Sequence, residues 1–180
     1  MFLLFSQTSD ILIVFDDGLK SNYTEIYELM KSLQLKYNIY LVLDRIGNDK
    51  DFLTWKQVCK MHDEGFVGFG AHTFTHQDVS NIDKINVEIE FYKADNLFER
   101  YLGYKPLDFC YPFGKYSDKS NEYITSNLSY KRIYTPEMMY SYSYNNTIIF
   151  GRNAISNDEN FFLFKAKIKG YFNIWKSLFG

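Results

Sequence analysis

A series of short apolar runs, separated by segments of helical periodicity, constrains the fold of this chain more than any other feature. Ile11–Phe15 is a continuous β-branched and apolar run. Such runs form strands covered on both faces, as in a parallel sheet, whereas a half-exposed strand alternates polar and apolar residues. Ile39–Leu43 and Phe66–Gly70 read the same way, and Leu107–Tyr111 predicts a further short strand. Between these runs, residues 23–36 place Ile26, Leu29, Met30 and Leu33 on one helical face. Thr54 can cap a helix running to Glu64 and closed by Gly65. Asp83–Tyr101 predicts a longer helix with a stripe of Ile85, Ile89, Tyr92 and Leu97, stopped by Gly103. A helix near Asn121–Leu128 and short strands at Arg132–Tyr134 and Thr147–Phe150 complete the series. Strand, turn, helix and strand in alternation predict an α/β domain with a mainly parallel sheet, open or closed into a barrel.

At 180 residues the chain is long enough for one domain with a sizeable core, expected to span 1–180. A net charge of -2, with no Lys/Arg-rich run, argues against nucleic acid as a partner. Aromatic residues make up 19% of the chain; they can line sugar-binding grooves, but core and sheet packing absorbs most of them. Cys59 and Cys110 lie far apart without a Cys-x-x-Cys spacing, which favours free thiols in a reducing compartment over a disulfide framework. The apolar Met1–Phe5 start lacks a basic flank and is too short for a secretory segment, with the first strand expected from Ile11. A cytoplasmic protein is the default expectation.

In residues 160–179, Phe164, Ile168, Tyr171, Trp175 and Leu178 fall at helical spacing, with Lys165, Lys167, Lys169 and Lys176 mostly off that stripe. Such a helix either docks on the core or lies on an anionic membrane surface, and Gly170 weakens both versions.

Two segments carry chemistry. Val14-Phe15-Asp16-Asp17-Gly18 puts adjacent carboxylates at the end of the first apolar run, and Ala71-His72-Thr73-Phe74-Thr75-His76 puts two imidazoles just after the third. One carboxylate and two histidines make a three-ligand site for a divalent metal, with positions left for water and substrate; the spare carboxylate can act as a base. Asp-Asp-Gly is equally a turn sequence when taken alone. The β-branched Thr73 and Thr75 favour a strand-to-loop segment over a helix for the histidine pair. Both segments sit just beyond strand C-terminal ends, where α/β folds place their active sites. His62, beside Asp63 and Glu64, reads as a solvent-facing helix residue.

These two segments, together with Phe109-Cys110-Tyr111-Pro112-Phe113-Gly114, resemble in order and spacing the motifs of the polysaccharide deacetylases, the NodB-homology domain of carbohydrate esterase family four. The similarity runs from about Ile11 to Ile155, and Tyr111-Pro112 follows the variant of the poly-N-acetylglucosamine and O-antigen-type members. The resemblance implies a single distorted, closed or incomplete (β/α) barrel. It implies that Asp17, His72 and His76 hold one divalent metal, Zn2+ first and Co2+, Ni2+ or Mn2+ as alternatives. It makes Asp16 the general base towards a metal-bound water, the Phe113 backbone N–H a donor to the oxyanion, and Tyr111 and Pro112 substrate contacts.

Many members carry an Arg where Cys110 stands. Arg152 resembles an Arg of the variant subgroup and could supply that charge; a plain surface Arg is the other reading. The family's late motif normally brings a His that protonates the leaving amine, and no His follows His76 here. Water, Asp16 after its proton transfer, or another side chain then acts as the acid. The implied reaction removes N-acetyl groups from an amino sugar of a bacterial polysaccharide or lipid-linked saccharide precursor, on the cytoplasmic side and at the inner face of the membrane. A deformylase or peptidoglycan deacetylase using the same site, a non-catalytic glycan-binding relic, and a purely structural α/β domain are the rivals.

Overall fold

The computed structural model describes residues 2–5, 11–136, 141–156 and 158–169. Nine strands form one sheet among them. In chain order these are β1 (Phe2–Phe5), β2 (Ile11–Phe15), β3 (Tyr37–Leu41), β4 (Val67–Ala71), β5 (Asp108–Cys110), β6 (Arg132–Thr135), β7 (Tyr142–Tyr144), β8 (Thr147–Gly151) and β9 (Asn153–Ala154). The helices are α1 (Glu28–Ser32), α2 (Trp55–Asp63), α3 (Ala94–Leu102), α4 (Asp118–Asn127) and α5 (Phe161–Ile168); π-helical turns at Asn22–Tyr27 and Glu88–Lys93 lead into α1 and α3.

The strand order is β7-β8-β6-β5-β4-β3-β2-β1-β9. From β2 to β8 the parallel neighbours follow one another in chain order, with β7 as an antiparallel flap on β8. Because βαβ crossovers are right-handed, a series that never reverses direction puts every crossover helix on the same face. The other face has no helical layer and is covered only if the sheet curls round on itself, which is the logic of a barrel rather than of a doubly wound sheet. The chain shows how far the curl goes. Gly151 ends β8 near one edge and Asn153 begins β9 at the other, with only Arg152 between them. Consecutive Cα atoms are about 3.8 Å apart, so the two edges approach within about 7 Å there. The sheet is a curled, open barrel laced across its gap by one residue.

The two faces have different contents. The helix-facing core includes Tyr37, Ile39, Leu41, Val67, Phe69, Ala71, Phe109, Ile133 and Ile149, packed against Val58, Met61, Phe91, Ala94 and Phe98. Alternation of side chains along each strand sends the neighbours of these residues inward, where Val14, Tyr40, Cys110 and Tyr134 form a smaller cluster edged by Leu12 and Phe150. Gly68 and Gly70 of β4 make room inside: a Cβ on Gly70 would lie 2.5 Å from the Tyr40 ring and 2.9 Å from Asp108 Cβ, and one on Gly68 would lie 2.4 Å from Asn38 Oδ1. Among the inner polar groups, Asp108 accepts from Arg132 Nε, and from its Nη2 at 3.0 Å.

The expected α/β architecture and its barrel are present, with shifted detail. Strands expected at Ile39–Leu43 and Phe66–Gly70 lie at Tyr37–Leu41 and Val67–Ala71. The run Ile11–Phe15 is not covered on both faces: Val14 is buried but Ile11 is 41% exposed. The helix over 23–36 stops at Ser32, and Leu29 and Leu33 face solvent while Tyr27 and Met30 are buried. The segment 83–101 is not one helix. It is a 3-10 turn at Ile82–Lys84, an extended Ile85, then the π-turn and α3, and the buried stripe is Glu90, Phe91, Ala94, Asp95 and Phe98 rather than Ile89 and Tyr92. A π-turn carries an extra residue, so a stripe counted at 3.6 per turn falls out of phase with the buried face.

Thr54 caps α2 as expected, in a reciprocal capping box with Gln57, and Gly65 and Gly103 take positive φ after their helices. His62 is half-buried against Tyr104 rather than free in solvent. Of the C-terminal stripe, Phe164 and Ile168 lie in α5 and are partly buried. Gly170, Tyr171, Trp175, Lys176 and Leu178 lie outside the described residues. Among the described residues no helix is long and apolar enough to cross a membrane.

Candidate active site

Phe15, Ala71, Cys110 and Gly151 are the last residues of β2, β4, β5 and β8. The residues that follow them, Asp16, His72, Tyr111 and Arg152, therefore emerge at one end of the barrel. At the first exit the backbone makes a γ-turn: Gly18 N–H donates to Asp16 C=O at 3.0 Å, with Asp17 at φ 72. This is the rarer, strained hand of that turn. It separates the two carboxylates. Asp16 faces Arg152, and Asp17 faces the histidines. Gly18 follows with φ 81, and a Cβ there would sit 2.7 Å from Leu41 Cδ2, so glycine closes the turn against β3.

Asp17 Oδ1 lies 3.7 Å from His72 Nε2 and 3.5 Å from His76 Nε2, and the two Nε2 atoms are 3.2 Å apart. Ligand atoms held about 2.0–2.1 Å from a tetrahedral ion stand about 3.3 Å from one another, so this triangle has the size such an ion requires. Its chemistry fits too. His72 Nδ1 is 2.8 Å from the Cys110 carbonyl, an acceptor only, so Nδ1 carries the proton and Nε2 presents a lone pair to Asp17 and His76. Burial lowers the His72 pKa, with the nearby Asp16 charge opposing, and the net result is a neutral ring.

The spare carboxylate is held differently. Arg152 donates to Asp16 through Nη1 at 2.9 Å and Nη2 at 3.2 Å, a two-point grip. The Cys110 thiol, kept protonated by burial, adds a contact at 3.6 Å. Burial would raise the Asp16 pKa, but the Arg152 guanidinium and its two hydrogen bonds outweigh it and hold the carboxyl below its ordinary value, ionised at neutral pH. The guanidinium is thus supplied across the barrel gap, on the strand seam, rather than from β5 where Cys110 stands.

Strained backbone gathers here. Of seven described non-glycine residues with positive φ, Asp17, Thr73, His76 and Phe113 belong to the three motif segments. Such conformations cost about 1–3 kcal/mol each and persist only where surroundings over-determine them. For the branched Thr73 at φ 60 the surroundings are explicit: its Oγ1 accepts from Gln77 N–H at 3.0 Å, and its carbonyl accepts from Leu43 N–H at 3.4 Å. Phe113 projects its ring outward, 64% exposed, with the centroid 4.3 Å from that of His76.

Asp16, Asp17, His72, His76, Phe113 and Arg152 thus come together at one barrel end. Arg152 is buried, not a surface residue. Tyr111 and Pro112 are buried as well; the Tyr111 hydroxyl donates to Asn121 Oδ1 at 3.0 Å and its ring stacks on Tyr116, so this side chain is turned into the packing. Sequence reading missed Glu90, which is buried beside the histidine loop. A glutamate in line with Ala94 and Phe98 at helical spacing was the available signal, since charge on a buried stripe is rarely idle.

Fold and site together define a singly wound α/β barrel with an Asp-His-His cluster and an Arg-held carboxylate at its strand C-terminal ends. The sequence pattern described as "Polysaccharide deacetylase" matches residues 6–133, and the chain belongs to that family. Over 110 residues it is 27% identical to YxkH of Bacillus subtilis (strain 168), covering 61% of this chain and 39% of YxkH. The crystal structure of BC0361, a polysaccharide deacetylase from Bacillus cereus, superposes with a TM-score of 0.74 at 22% identity, covering 87% of this chain and 50% of that one. The Streptococcus pyogenes deacetylase PplD, solved in complex with acetate, gives 0.73 at 21% identity over 86% of this chain and 68% of its own. At such identities the two superpositions establish the shared fold. The chain spans half or less of the length of YxkH and BC0361.

Proposed function

We propose that this chain is a metal-dependent N-deacetylase acting on an N-acetylated amino sugar of a bacterial polysaccharide or a lipid-linked glycan precursor. The observation that carries this reading is the triangle of Asp17, His72 and His76 beside an ionised, two-point-held Asp16. Family membership supports glycan deacetylation in general, and the acetate bound to PplD is the expected product of such a reaction in that relative.

Asp17, His72 and His76 are the residues that would hold the cation, Zn2+ being the ion suited to two imidazoles and a carboxylate. When bound, such an ion polarises an acetamide carbonyl and makes a water acidic near neutral pH. Asp16 receives the proton of the attacking water. Arg152 fixes the direction of its lone pairs, and the same pairing makes Asp16 a weak base, adequate only for a water already acidified. The Phe113 backbone N–H, on a turn held by Gly114 N–H donating to Tyr111 C=O at 3.0 Å, is the donor assigned to the developing oxyanion. Proton return to the leaving amine falls to Asp16 or to solvent.

Work at the inner membrane face is part of the same proposal. It rests on Phe161 and Phe162, 75% and 82% exposed on α5, beside exposed Lys165 and Lys169. Failure to co-sediment with anionic vesicles would remove that part alone.

The central test loads the chain with Zn2+, desalts it, and measures bound metal and acetate release from N-acetylated oligosaccharides. Wild type should hold about one ion per chain and release acetate. Asp16→Asn should keep the ion and lose turnover by about 10²-fold or more, whereas His76→Ala should lose both. Wild-type turnover in Asp16→Asn would overturn the base assignment. Metal uptake without acetate release over a broad panel would leave a glycan-binding module.

A further inference from the structure

The loop bearing His76 has no regular ladder of its own, yet it holds two residues at positive φ, Thr73 and His76. What grips it comes from another element. Glu90, 5% exposed in the π-turn before α3, receives Phe74 N–H at 3.1 Å and Thr75 N–H at 2.9 Å on one carboxylate oxygen, and the Thr75 hydroxyl at 2.7 Å on the other. The Glu90 backbone carbonyl takes Phe74 N–H as well, at 3.0 Å. From the opposite side Asp44 N–H donates to Phe74 C=O at 2.9 Å. The peptide groups between the two histidines are therefore clamped by a buried carboxylate that touches neither imidazole.

Resting on the metal-site reading above, we infer that Glu90 is the positioning residue for His76, setting cation affinity by holding the 73–76 loop in its strained path. Glu90 lies in the π-turn on the buried face with Ala94 and Phe98, and its carboxylate reaches the loop from there. Two neighbouring amide N–H groups and a hydroxyl need one acceptor atom for the amides and a second polar atom for the hydroxyl. A glutamine satisfies this set, since its carbonyl oxygen can take both amides while its NH2 donates to the Thr75 oxygen. An alanine satisfies none of it.

That difference gives the test. Zn2+ affinity is measured by competition with a chromophoric chelator for wild type, Glu90→Ala and Glu90→Gln, with amide hydrogen exchange of the metal-free proteins followed in parallel. Partners of this type set metal affinity by about 10–100-fold, and Glu90→Ala should lose that much. Its Phe74 and Thr75 amides should lose protection while those of Ile39 and Leu41 keep it. Glu90→Gln should stay within about threefold of wild type, far from the alanine loss.

Equal weakening by Ala and Gln would mean that only the negative charge matters and would overturn positioning. Unchanged Zn2+ affinity in a folded Glu90→Ala would overturn it outright. If Glu90→Ala does not fold, Thr75→Val removes the hydroxyl bond alone and should weaken Zn2+ binding severalfold; no change there would refute the inference. A wild-type chain that takes up no Zn2+ would overturn the metal reading and this inference together, whereas wild-type uptake with unaltered variants overturns this inference only.

Discussion

The two faces of the curled sheet solve the burial problem by opposite means. The outer face meets helices chiefly with aliphatic and aromatic side chains, whose shapes decide most of the fit. The inner face meets only itself, across a narrow space, and there each large or charged group needs a particular partner: Tyr40 a glycine at 70, Asp108 an Arg132, Asp16 an Arg152. A face packed by shape tolerates exchange of similar volumes. A face packed by matched partners tolerates the loss of both members of a pair better than the loss of one.

The sharpest break of this comparison is Arg152→Leu. Removing one partner of a buried pair costs about 3–5 kcal/mol, because the Asp16 carboxylate is left in place without its guanidinium. Urea unfolding at pH 7 should show that loss in the metal-free protein, with a substantial part recovered by adding Asp16→Asn. A loss no larger than that of a trimmed outer aliphatic would show the inner pair to be dispensable.

Next in size is Gly70→Ala. The new methyl meets the Tyr40 ring and Asp108 Cβ, and overpacking of this kind costs about 1–3 kcal/mol. Ile133→Val, two strands away on the outer face, should cost only about 0.5–1.5 kcal/mol. Thermal melts of the two variants side by side decide whether the inner face is the less forgiving.

The smallest effect comes from the outer face's own buried carboxylate. Asp95 has a phenol, Tyr130 O–H at 3.3 Å, where the inner carboxylates have guanidinium groups. Burial pushes its pKa up to about 6 from the ordinary 3.8. Folded protein therefore binds the proton more tightly than unfolded protein, and the contribution of Asp95 to stability is full below about pH 4 and lost as pH rises through about 6. Asp95→Asn, whose amide oxygen can still accept from Tyr130, should stabilise the fold modestly above pH 6, with the gain vanishing towards pH 4. Chemical denaturation at several pH values measures it, and a pH-independent difference would assign the effect to packing.

The outer face was the legible one. Its residues repeat with the strand and helix periods, so the alternation of elements, the Thr54 cap and the glycine stops could be read directly. So could the segments that form the candidate site, because Asp16, Asp17, His72 and His76 follow apolar runs and such positions converge when strands lie parallel. The phase of the two π-turn segments was not legible. The expected stripe residues Leu29 and Leu33, and Ile89 and Tyr92, face solvent there, and nothing in a 3.6-residue count announces the extra residue. The first strand is not at Ile11 as expected but at Phe2–Phe5, while Tyr142–Tyr144 is exposed throughout and Asn153–Ala154 is two residues long, so β7 and β9 carry no burial pattern to read. The inward turn of Tyr111 depends on Asn121 and Tyr116, contacts that arise only once α4 is docked.

Arg152 follows almost the whole sheet in chain order, so a molecule growing from its N-terminus acquires Asp17, His72 and His76 long before it acquires the guanidinium that grips Asp16. On the proposed reading, synthesis thus separates the residues that would capture an ion from the group that would orient the base. The barrel's last stitch would then double as a safety catch: until the chain crosses the gap from β8 to β9, Asp16 has no guanidinium to orient it.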